Sequence, residues 1–116
     1  MVGIRIAGVA IALLCAHPLA AQEWQRLNDG ELLTTLSGKS VAFDDRSNAY
    51  HSSGRLHETG ARDLWGYWRV ERGQLCHQMR GEQAWSCYRV SASWRDGLQL
   101  LRFRDDTGRE QDGRIE

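Results

Sequence analysis

Three histidines, His51, His57 and His77, and two cysteines, Cys76 and Cys87, are the residues beyond the N-terminal segment with the broadest chemical reach. A catalytic zinc centre takes three protein ligands, so three histidines meet its minimum. No His-x-His or His-x-x-x-His spacing presets such a site, and metal binding is not expected. Cys76 beside His77 has the composition of a thiol–imidazole pair, but neighbours along a strand point to opposite faces, so adjacency separates them. Ser52-Ser53 has only His51 beside it as a base, and no Gly-x-Ser-x-Gly occurs. Asp44-Asp45 and Asp105-Asp106 supply paired carboxylates. A glycosidase needs a deep groove between its carboxylates, and calcium needs more oxygen ligands than either loop offers. Turn chemistry explains both better, since Asp44-Asp45-Arg46-Ser47-Asn48 and Asp105-Asp106-Thr107-Gly108 are rich in turn formers. No catalytic residue and no cofactor is expected; an enzyme using His51 or His57 as base is the least favoured reading.

The N-terminus sets the compartment. Arg5 precedes an apolar run from Ile6 to Cys15, His17-Pro18 interrupts it, and the small residues Ala20 and Ala21 follow, which is the layout of a secretory signal over residues 1–21. The run is about half the roughly 20 residues a transmembrane anchor needs, so no stable membrane span is expected after its removal. Ala12-Leu13-Leu14 before Cys15 lacks the small residue that a lipid-attaching signal wants. The expected mature chain, residues 22–116, is a single periplasmic or secreted domain. In an oxidising compartment Cys76 and Cys87 are expected to pair, and their bridge should contribute about 2 to 3 kcal/mol by restricting the unfolded chain. A domain this small has a limited core and needs the help.

The formal charge of the 116-residue chain is zero, with Lys39 the one lysine, so nothing in it drives nucleic-acid binding. Five tryptophans, at positions 24, 65, 68, 85 and 94, are a high density for the length. Each can bury a large apolar area while presenting an N–H, which serves both small cores and binding surfaces. Two or three are expected inside and two at the surface.

One segment reads as helix. Asn28 or Asp29 can cap it, Glu31 lies in the first turn, Leu32, Leu33 and Leu36 recur at helical spacing, and Gly38 closes it. The rest reads as strands parted by turn signals, at 40–43, 49–52, 55–58, 65–70, 75–80, 84–92 and 99–104; from Arg109 onward the pattern allows a further strand, with the last residues expected as a frayed edge or tail. The fold class is therefore mainly β, an antiparallel meander or partly open small barrel with one short N-terminal helix.

Two registers follow from turn geometry. A three-residue loop with Gly54 in the left-handed region sets Tyr50 across from Leu56, both facing the core, and sends His51, Arg55 and His57 to the opposite face. A two-residue turn at Gly81-Glu82 sets Cys76 opposite Cys87. Leu75, His77, Met79, Tyr88 and Val90 then share one face, and Cys76, Gln78, Trp85, Cys87 and Arg89 the other.

The clearest local signature is aromatic. In Trp65-Gly66-Tyr67-Trp68-Arg69-Val70, alternation puts Trp68 and Val70 on the core face and Trp65, Tyr67 and Arg69 on the other, with Gly66 allowing a neighbour to approach closely. Aromatics interleaved with arginine are the composition of protein-binding hot spots and of sugar-stacking platforms. Cover by the helix or another sheet is the competing fate of that second face.

Leu36-Ser37-Gly38-Lys39-Ser40-Val41, Ser53-Gly54, Gly66-Tyr67-Trp68-Arg69-Val70, Gly73-Gln74-Leu75-Cys76 and Cys87-Tyr88-Arg89-Val90 together resemble a group of small exported proteins of Gram-negative bacteria. The resemblance spans Leu32 to Val90; its motifs are structural and imply no activity. The Gly-x-Trp strand is more loosely similar to lipocalin-like barrels, from which the chain departs in having that motif centrally and too few strands to hold an interior ligand. The expected function is a non-catalytic binding module for an envelope or secreted protein, with Trp65, Tyr67 and Arg69 as its contact residues. The alternative is a periplasmic carrier of small apolar ligands, lined by Trp68, Tyr88, Met79 and the helix leucines.

Overall fold

The computed structural model describes residues 23–116, so the expected signal at 1–21 lies outside the described residues. The chain runs β1 (Gln25–Arg26), α1 (Asp29–Leu36), β2 (Lys39–Ala42), β3 (Arg46–Tyr50), β4 (Arg55–Gly60), β5 (Leu64–Glu71), β6 (Gln74–Met79), β7 (Ser86–Arg95), β8 (Leu98–Arg104) and β9 (Glu110–Ile115). Strands β2 to β9 form one antiparallel sheet that closes on itself through β7–β8 and β2–β9, giving an eight-stranded barrel; β1 adds to β7 at Ser91 and Ala92. Closure corrects two expectations: the strands suffice for a full barrel, and the residues after Arg109, through Ile115, are a strand rather than a frayed edge or tail. β9 pairs with β8 from Leu100↔Arg114 to Arg104↔Glu110 and with β2 at Val41↔Ile115, and the Glu116 amide donates to Ser40 O at 2.9 Å. Gly113 permits this approach, because a Cβ there would stand 2.7 Å from Val41 Cγ1 and 3.0 Å from Ala42 O.

Helix α1 forms as its capping residues dictate. Asn28 accepts from the Glu31 amide and the Glu31 carboxylate accepts from the Asn28 amide, a reciprocal capping box. Its eight residues are too few to persist alone. It lies across one end of the barrel, where Asp29 accepts from the Gly73 amide in the β5–β6 turn, and Leu32 and Leu36 join the barrel core. Leu33 is half exposed, so the buried stripe is two leucines wide rather than three.

The barrel is filled by inward residues of every strand from β2 to β8, among them Val41, Tyr50, Leu56, Trp68, Leu75, Val90, Leu101 and Phe103. Tyr50 and Trp68 meet edge to face at 5.4 Å, and the Trp68 indole N–H donates to His51 O at 2.8 Å, so its polar atom is satisfied. Trp68, Tyr88, Met79 and, of the helix leucines, Leu32 and Leu36 share this interior and pack into the same cluster. Of the five tryptophans only Trp68 is buried, fewer than expected. An interior this narrow, already holding Tyr50, Tyr88 and Phe103, leaves the other indoles to the outer wall.

Both hairpin registers are as expected. Tyr50 pairs with Leu56 across a loop with Gly54 at φ +94°, and Cys76 pairs with Cys87. The second turn itself differs. Pairing of β6 with β7 stops at His77↔Ser86, and the chain reverses through a four-residue turn in which the Glu82 amide donates to Met79 O at 2.9 Å, with Gly81, φ +94°, at its third position. The Glu82 carboxylate accepts from the Met79 amide at 2.9 Å, replacing a ladder bond.

Candidate functional site

The residues that could carry chemistry are dispersed. His77 points into the barrel, where its Nε2 lies 2.9 Å from the Tyr50 hydroxyl, and burial, aided by the Arg46 cation, pushes the imidazole down to about 3. His51 and His57 lie outside, against Trp65. The sheet therefore stands between His77 and the other two, and no three-histidine centre forms. Cys76 and Cys87 are joined by a disulfide with Cα atoms 4.0 Å apart. Glu71 sits beside them, and this is the one cluster of three potential metal ligands among the described residues. With both sulfurs bonded to each other, it has no thiolate to offer a metal.

The acidic pairs serve turns. Asp105 accepts from the amides of Thr107 and Arg109 at 2.9 Å each and from the Thr107 hydroxyl at 2.6 Å, and these bonds hold its carboxyl below the usual range. Asp44 and Asp45 edge a cleft of about 650 Å³ with Glu110 and Asp112. Three of these four carboxylates are already matched: Arg102 reaches Asp112 at 2.9 Å and Glu110 at 3.9 Å, and Arg46 reaches Asp45 at 3.0 Å.

The outer face of β4, β5 and β6 is different. Alternation along β5 puts Trp68 inside and Trp65, Tyr67 and Arg69 outside, as the sequence requires, and neither helix nor second sheet covers them: Trp65 is 38% and Tyr67 54% exposed. Register builds the surface around them. His57 pairs across from Trp65 and Arg55 across from Tyr67. The His57 ring lies flat on the indole, centroids 4.0 Å apart and 4° from parallel, and His57 Nε2 is 2.7 Å from Asp63 Oδ1. The Arg55 guanidinium stands 4.8 Å from the Trp65 ring centre and 5.7 Å from that of Tyr67. Trp65 is thus held in one orientation from two sides.

Beside these rings runs a groove of about 420 Å³, bounded by Arg55, Trp65, Tyr67, Gln78, Arg80 and Glu82. Gly66 lets β6 approach there, because a Cβ at this position would lie 2.4 Å from Gln78 O and 2.7 Å from Met79 Cα. Arg69 belongs to the same face but not to the groove. It pairs with Glu71 at 2.9 Å and lies over the Trp85 ring at 4.0 Å, next to the disulfide. The sequence reading did not name Arg55 and Arg80 as site residues. The Tyr50–Leu56 register already turns Arg55 outward, and that is the signal that could have found it; Arg80 reaches the groove only through the turn after β6. No family model matches this chain, and neither does any curated protein or solved structure, so a function must be argued from the site itself.

Proposed function

We propose that the chain is an exported, non-catalytic binding module that recognises a protein of the cell envelope or its surroundings through the outer face of β4, β5 and β6, with Trp65 and Tyr67 as anchors and Arg69 at the flank. The observation that carries this reading is the clamped Trp65, stacked by His57 on one strand and capped by Arg55, yet more than a third exposed. An aromatic side chain fixed before association has less rotamer freedom to lose on binding, and Trp, Tyr and Arg are the residues that dominate binding energy in protein interfaces. The disulfide supports export, since such bridges persist in oxidising compartments.

The test is native mass spectrometry of the chain isolated from the envelope fraction of its host, beside the double variant Trp65→Ala/Tyr67→Ala. A second polypeptide retained by the native chain and lost from a variant of unchanged melting temperature is the expected result. Retention by both removes the surface from consideration. A small apolar adduct in place of a polypeptide would turn the assignment toward the carrier.

A further inference from the structure

The groove beside Trp65 carries charge that the fold leaves unmatched. Arg46, Arg62, Arg69 and Arg102 each pair with a carboxylate of the chain. Arg55 and Arg80 do not: like Arg26, Arg72, Arg89, Arg104, Arg109 and Arg114, neither guanidinium has a carboxylate within 4.0 Å among the described residues, but these two line one groove, where Arg55 stands beside two exposed aromatic rings. The one carboxylate in the groove wall, Glu82, is turned back to the Met79 amide. The groove therefore presents two cations and one engaged anion beside two exposed aromatic faces.

We propose that this groove takes an acidic segment of a partner protein, with partner carboxylates seated on Arg55 and Arg80 and the adjoining apolar atoms on Tyr67 and Trp65; this rests on the protein-binding reading above. The Arg55 guanidinium carbon stands 4.8 Å from the Trp65 ring centre and 5.7 Å from that of Tyr67, and its N–H groups donate to no acceptor among the described residues, so they remain for the two-point hydrogen bonding that a carboxylate accepts. Cation–π contact holds the guanidinium there in advance. A long polyanion is a poorer fit, because the chain as a whole has no net charge and two arginines do not form the basic stripe that tracks a phosphate backbone.

The experiment uses the folded mature chain and two synthetic peptides, one alternating glutamate and leucine and the other glutamine and leucine, titrated at low salt while the Trp65 indole resonance is followed. The glutamate peptide is expected to bind in the millimolar range or better, to weaken on the order of tenfold in Arg55→Gln/Arg80→Gln, and to be released by about 0.5 M salt, while the glutamine peptide leaves the resonance in place. Equal response to both peptides, absence of binding, or unchanged binding in the double arginine variant would overturn the acidic specificity. Polygalacturonate binding equally to the native chain and to Trp65→Ala/Tyr67→Ala, with displacement of the peptide, would overturn it in favour of general anion attraction. Failure of this inference is separable from failure of the surface. If Arg55→Gln/Arg80→Gln retains the envelope partner and Trp65→Ala/Tyr67→Ala loses it, the docking face stands and only the acidic class falls.

Discussion

His57 and Trp65 are direct cross-strand partners whose rings lie 4.0 Å apart and within 4° of parallel. The imidazole is in turn held by Asp63 at 2.7 Å, from the loop between β4 and β5. Orientation thus passes from a loop carboxylate through an imidazole to the exposed indole. Substituting His57→Ala should leave the fold intact, because the contact is on the outer wall, and should free the Trp65 ring. The expected signature is a lower order parameter for the Trp65 indole N–H with weaker partner capture, both recovered in His57→Phe. An indole that stays equally rigid in the alanine variant would show that Arg55 and the His51 ring suffice to fix it.

The disulfide joins strands that otherwise pair only from Leu75↔Tyr88 to His77↔Ser86. Losing it should cost about 2 to 3 kcal/mol in either Cys76→Ser or Cys87→Ser, through the greater freedom of the unfolded chain. For a domain of this size that lowers the melting temperature by roughly 10 to 20 °C. Denaturant titration with and without reductant measures it; coincident curves would mean that the bridge contributes nothing to stability.

His77 makes stability depend on pH. Its imidazole titrates near 3 in the folded barrel against 6.5 in the unfolded chain, so between those values the unfolded chain binds the proton and the folded one does not. Stability is therefore full above about pH 6.5 and falls as pH drops toward 3. The loss is on the order of a few kcal/mol for a shift of this size. The groups facing the imidazole are the Tyr50 and Tyr88 rings, with the Arg46 charge acting at longer range. Burial raises both phenols, so neither is ionised in this range. His77→Gln keeps a partner for the Tyr50 hydroxyl and removes the titration, so its stability should be flatter between pH 4 and 6.5. A slope equal to that of the native chain would assign the acid sensitivity elsewhere.

What the sequence revealed was local, and what it hid was long-range. The Tyr50–Leu56 pairing is legible because the Gly54 turn and strict alternation determine it within a few residues, whereas Cys76↔Cys87 has the expected register although the two-residue turn that predicts it gives way to one over Met79–Glu82. The outward placement of Trp65, Tyr67 and Arg69 follows from the same alternation. Barrel closure was not legible, since it depends on β9 meeting β2, more than 70 residues earlier in the chain, at a contact only Gly113 permits. Leu33 misled because helical spacing gives a stripe but not its width, and the barrel end accepts only Leu32 and Leu36. The groove combined both cases: its aromatic wall came from one strand, while Arg55 and Arg80 came from a β4–β5 register and a turn that no short motif specifies.

Closure gives the most direct test of the architecture. Gly113 sits opposite Leu101 in β8 while β2 crosses against its other side, so a methyl group there would meet Val41 and the Ala42 carbonyl at 3.0 Å or less. Gly113→Ala should destabilise by about 1 to 3 kcal/mol, as forced overpacking does, and Gly113→Val by more. The loss should be concentrated at one seam: hydrogen exchange is expected to rise at the amides of Ala42 and Glu116 while the β5–β6 ladder keeps its protection, because β2–β9 is the short two-pair junction and β5–β6 spans six pairs. Uniform loss of protection around the barrel would show instead that the seam is as strong as the rest and opens only with the whole fold.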